Sequence, residues 1–122
     1  MKKGYWVVAY HTVGDEATMK GYGELAGAAL APFGARLLVP PGSEVTALEA
    51  GLKQTTVVVE FDSYADALAA YETADYKKAL AVLGPGVKRD FRIAERAFGR
   101  SCLRMLLRFE LRSNAHSCDE TA

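Results

Sequence analysis

The chain has 122 residues, half of them hydrophobic and a quarter charged, with fifteen basic residues against fifteen acidic ones. This length suits one domain with a core that can stand without metals or disulfides. A net charge near zero argues against non-specific binding to nucleic acid or acidic membranes, and no apolar run approaches the roughly 20 residues of a bilayer span. The N-terminal stretch is too short and too polar for a signal peptide, so a cytoplasmic location is expected. Cys102 and Cys118 match neither a zinc knuckle nor a CxxC pair, and in a reducing cytosol both are expected as free thiols.

Gly4 to Thr12 reads as the first strand, with Trp6, Val7, Val8 and two tyrosines. Alternation puts Tyr5, Val7, Ala9 and His11 on one face and Trp6, Val8, Tyr10 and Thr12 on the other. Neither set is polar, which predicts a central strand covered on both sides. Asp15 is placed to cap a helix, because its carboxylate can accept from exposed first-turn amides. Tyr22, Leu25, Ala26, Ala29, Leu30 and Phe33 then recur at the helical period, and Gly34 sits where a left-handed residue ends it. Gly21, Gly23 and Gly27 weaken that helix by about 1 kcal/mol each relative to alanine, or else permit close packing.

Ala35 to Val39 is a second strand, stopped by Pro40-Pro41-Gly42. Glu44 to Leu48 would extend or resume it as an edge strand past a bend. Gln54 to Phe61, with three consecutive valines, is the strongest strand. Asp62-Ser63 opens a second helical stretch through Tyr64, Ala67, Leu68 and Tyr71. Thr73-Ala74-Asp75 restarts it with a new cap, and Tyr76, Ala79, Leu80 and Leu83 continue the apolar face. Gly84-Pro85-Gly86 breaks it. Val87 to Ala94 is the fourth strand, in which Arg89, Phe91 and Ile93 alternate with Lys88, Asp90, Arg92 and Ala94.

The order βαββαβ predicts an α+β, ferredoxin-like fold: a four-stranded antiparallel sheet with two helical segments on one face. The other face also carries apolar side chains, so a second copy related by a two-fold axis is expected to cover it.

Four stretches, KGYWVVAY, FGARLLVPPG, TTVVVEFDSYADALAAYETADYKKAL and LGPGVKRDFRIAE, occur in that order. Together, over about residues 3–95, they resemble the domain-of-unknown-function family numbered thirteen-thirty. The resemblance implies membership of the dimeric α/β-barrel superfamily, which includes muconolactone isomerases and antibiotic-biosynthesis-type monooxygenases. It implies a homodimer whose sheets enclose a pocket, and it supplies no reaction. Relatives of this kind end near Glu95. Residues 96–122 are therefore read as a separate C-terminal extension.

Glu60 interrupts the apolar run VVVEF and is the first choice for a catalytic carboxylate, opposite the Val57, Val59 and Phe61 face. A structural ion pair with Arg36 or Arg92 is the competing reading. His11, at a strand end, is the second catalytic candidate, as a general base. Against it stands a merely solvated histidine. Arg36 is expected to hold a ligand carboxylate through two parallel hydrogen bonds, or else to be a surface residue of an edge strand. Asp90 and Arg92 either add charge to the pocket or cross-link two subunits, the second being preferred. Trp6 and Tyr10 either line a pocket for an aromatic ligand or fill the space between two sheets. Tyr64, Tyr71 and Tyr76 are assigned to core or interface. No phosphate-binding glycine loop, catalytic motif or metal-ligand set is present, and no cofactor is expected.

In the extension, Arg96, Arg100, Arg104, Arg108 and Arg112 recur every four residues beside Leu103, Met105, Leu106, Leu107 and Phe109. An amphipathic basic helix or arm that docks on a neighbour is expected, building higher oligomers, with a disordered end from Asn114. Two functions follow. One is a homodimer that binds, and in the stronger form transforms, a small organic molecule as a cofactor-independent isomerase, lyase or oxygenase. The other is a non-enzymatic assembly module with a filled interface.

Overall fold

A computed structural model describes residues 2–97 of the chain. The expected extension lies outside the described residues apart from Arg96 and Ala97, as do Cys102 and Cys118. The elements run β1 (Gly4–Tyr10), α1 (Glu16–Leu30), β2 (Arg36–Val39), β3 (Thr56–Phe61), α2 (Tyr64–Tyr71), α3 (Ala74–Leu83) and β4 (Arg89–Glu95). All pairings are antiparallel, in the order β2-β3-β1-β4, so β1 is central as its composition predicts. The fold is ferredoxin-like.

The cap at Asp15 and the new cap at Thr73 are formed, and Ser63, read from the sequence as a helix opening, also caps. The side chains of Asp15, Ser63 and Thr73 accept from the backbone amides of Thr18, Asp66 and Tyr76 at the starts of α1, α2 and α3. Each satisfies an amide that the first turn leaves without a partner. Helix α1 gives way to a 3₁₀ turn at Ala31–Phe33, where Pro32 has no N–H to donate, and Gly34 ends it at φ 65°.

Two expectations are corrected. Strand β1 stops at Tyr10 and not at Thr12. The amides of His11 and Thr12 both donate to the Lys88 carbonyl, and the Thr12 hydroxyl bonds Gly86, so the chain leaves the ladder there. Residues 44–48 form no strand. A turn at Pro40, held by both the amide and the hydroxyl of Ser43, swings the chain away from the sheet edge. A second turn closes from Gly51 to Leu48, with Glu49 at φ 53°.

All three helices cover the face of Trp6, Val8 and Tyr10. The core there is aromatic: the Trp6 ring centroid lies 4.9 Å from Tyr76, 5.0 Å from Phe91 and 5.1 Å from Phe61. Its Nε1–H donates to the Ala67 carbonyl at 2.8 Å, satisfying the one polar atom the indole buries. Gly4 lets α2 approach β1, since a Cβ there would stand 2.6 Å from the Tyr64 Cα. Leu25 and Leu68, at the edges of their stripes, stay exposed.

Candidate functional site

The opposite face of the sheet is not covered by any described element. Val7 of β1 lies at its centre beside Val58, with Ala9 adjacent. Charge is concentrated at the two ends of this face. At one end Glu60 accepts from Arg36 Nε–H at 2.7 Å and from the Tyr5 hydroxyl at 2.9 Å. Arg36 also donates to Asp62 at 3.1 Å. The Arg36 and Tyr5 hydrogen bonds hold the Glu60 carboxyl below its ordinary value. The ion pair weighed for Glu60 is therefore made, with Arg36. Arg36 is already engaged by two carboxylates. At the other end His11 Nε2 lies 3.0 Å from Asp90 Oδ2, and its Nδ1 is 3.0 Å from Gln54. Asp90 has its partner within the same chain.

Trp6 and Tyr10 belong to the other layer, between sheet and helices, not between two sheets. Here the structure holds a chamber of about 380 Å³. Val8, Val57, Val59 and Phe91 floor it, Tyr22, Ala26 and Leu30 of α1 roof it, and Leu37 and Pro41 stand at its exposed rim. Trp6 and Tyr10 line it as well. Glycine explains the space. Gly23 and Gly27 face the chamber, and a Cβ added at either would meet nothing within 4 Å. These two glycines leave volume rather than permitting close packing.

Arg89 is the only charged residue lining the chamber among the described residues. It opens β4 on the helix side, and its guanidinium donates to the hydroxyls of Tyr10 (3.3 Å), Tyr22 (3.1 Å) and Tyr76 (3.1 Å). The Tyr22 and Tyr76 hydroxyls are themselves 2.6 Å apart. Burial opposes the Arg89 charge, but the Tyr22 and Tyr76 oxygens more than offset it, and the group stays protonated. Burial also pushes Tyr76 far above the ordinary tyrosine range and raises Tyr10, with Arg89 opposing both shifts. Tyr10 and Tyr76 are thus neutral donors, not bases. The sequence signal for this cluster is an arginine in the apolar alternation Arg89, Phe91, Ile93, which alternation alone does not mark as a site. The pattern places Tyr22 in the apolar stripe of α1 and Tyr76 in core or interface.

The geometry defines a ferredoxin-like α+β protein with a ligand-sized chamber under its first helix. The sequence profile of a domain of unknown function (DUF1330) matches residues 3–97, and the chain belongs to that family. Comparison with curated proteins gives no match. Among solved structures the chain is similar to a protein of unknown function from Rhodopseudomonas palustris, with 11% identity and a TM-score of 0.58 over 80% of this chain and 85% of that one. It is also similar to a dimeric ferredoxin-like protein of unknown function from Bacteroides fragilis (15% identity, TM-score 0.51, 77% and 96% covered). A dimeric ferredoxin-like protein from Thermobifida fusca is similar at 19% identity and a TM-score of 0.50, with 78% and 92% covered. At these identities the likeness is one of fold.

Proposed function

We propose that this protein is a homodimeric small-molecule-binding protein that takes an apolar, ring-bearing molecule into the chamber between the sheet and α1. The chamber itself carries this reading. Protein interiors leave few voids larger than a water molecule, whereas small-molecule sites are mostly apolar clefts of roughly 300–1,000 Å³ with a few placed polar groups. A space of about 380 Å³ walled by rings and branched aliphatics, with one charged corner, matches that description. Among the described residues its wall has no carboxylate or imidazole, so the reading is of a binding site before it is of an enzyme. Glu60 and His11 enter it as groups of the uncovered sheet face. That face, with valines at its centre and charge at its ends, suits a second copy, and the Bacteroides and Thermobifida proteins of the same fold are dimeric.

The chain has a single tryptophan, and it lines the chamber. Its emission therefore reports occupancy. Indole, naphthalene and short alkylbenzenes are expected to raise the melting temperature of the wild type and to perturb Trp6 emission. In Gly27→Leu, whose new side chain enters the chamber, both effects should disappear while the circular dichroism spectrum is kept. If no compound moves either signal in the wild type, the chamber is not a ligand site. The assembly-module reading would then stand.

A further inference from the structure

We propose that the chamber is built for an apolar carboxylate, with the carboxylate seated on Arg89. This rests on the chamber being a ligand site and names the class of molecule it takes.

Arg89 is the anomaly of this layer. Among the described residues no carboxylate lies within ion-pair distance of it, whereas Arg36 on the other face has two. Its neighbours are neutral. Three tyrosine hydroxyls accept from it, and the rings of Tyr10, Tyr22 and Phe91 stand 5.1–5.5 Å from its Cζ, where their faces attract a cation without neutralising it. A half-buried cation without a counter-charge is costly unless something supplies the anion.

The donor count points the same way. A guanidinium has five N–H groups in one plane. Three are used here, two on Nη1 and one on Nη2. The two left, one on Nε and one on Nη2, sit on adjacent nitrogens of a group whose planar fork matches a carboxylate's two oxygens. The tyrosines add two further donors, one from the Tyr22–Tyr76 pair and one from Tyr10. Each hydroxyl that accepts from Arg89 keeps its own proton, and the Tyr22–Tyr76 pair consumes only one of its two. The rest of the wall is apolar, ending at Leu37 and Pro41 on the rim. One anionic end and one apolar body fit this arrangement. A phosphate ester would bring more negative charge than a single arginine balances.

The test compares matched acids and primary amides: 4-phenylbutyrate with 4-phenylbutyramide, and decanoate with decanamide, by calorimetry and Trp6 emission. In the wild type each acid is expected to bind at least about tenfold more tightly than its amide, as charge-assisted bonds to a shielded guanidinium predict. Arg89→Gln should remove that preference, bringing acid and amide affinities to within about twofold of each other. Arg89→Lys, which keeps the charge but not the fork, should retain part of it and guards against loss of the fold in the glutamine variant. Equal binding of acid and amide, or an acid preference that survives in Arg89→Gln, overturns the carboxylate assignment while leaving the chamber a ligand site. Binding of neither class removes both readings.

Discussion

Glu60 accepts from two donors on the open face, while Arg89 on the covered face, among the described residues, has only hydroxyls to donate to. The first arrangement has a pH signature. The Glu60 carboxyl is held below its ordinary value of 4.5, by Arg36 first and then by Tyr5. A depressed acid stabilises the fold above its unfolded pKa, and the contribution is lost as pH falls through the folded value. The urea midpoint of the wild type should therefore exceed that of Glu60→Gln at pH 7. The gap should begin to close as pH drops below about 5 and go on closing as pH falls through the depressed folded value. A gap of constant size across this range would mean that the carboxylate's charge adds nothing. At this scale the sequence was partly legible. A lone acid among valines must find a partner, and Arg36 was among the partners weighed. Arg89 was invisible because three tyrosines converge on it from three different elements, two of them far away in the chain.

Two glycines show how elements set opposite demands on the same residue type. At Gly4 a Cβ would lie 2.6 Å from the Tyr64 Cα and 2.9 Å from the Ser63 carbonyl oxygen, both backbone atoms that cannot swing aside. Gly4→Ala is expected to destabilise the fold by about 1–3 kcal/mol, as overpacking does. At Gly27 a methyl meets nothing within 4 Å. Gly27→Ala should stabilise the helix by up to about 1 kcal/mol. Thermal melts of both variants read the two signs, and a stable Gly4→Ala protein would contradict the close approach of α2 to β1. Helix starts were legible throughout, because Asp15, Ser63 and Thr73 cap through contacts three residues long. The fate of residues 44–48 was not, since two turns decide it. Gly4's role depends on a neighbour some 60 positions away, which no local pattern encodes.

For the whole molecule, pattern assigns the residues of β1, β3 and β4 to their faces, and the pairing matches, whereas in β2 the slip before Val39 breaks the alternation. The family resemblance implies a pocket between two sheets; a chamber of this chain itself lies elsewhere, beneath α1. Alternation tells which way a side chain points. It does not tell how much volume a helix with Gly23 and Gly27 at the chamber wall leaves unfilled. The second-copy reading of the uncovered face has its own measurement. In sedimentation velocity the wild type should run as a dimer and Val7→Glu as a folded monomer, because Val7 points away from the helices. A monomeric wild type would remove the second copy. The far margin of the sheet matters to the same outcome. Strand β2 is only four residues long, and its pairing with β3 slips between Leu37 and Val39. Such a short, kinked border offers a stray polypeptide few evenly spaced amides to zip onto. Fibrous growth by strand addition along this margin is thereby disfavoured.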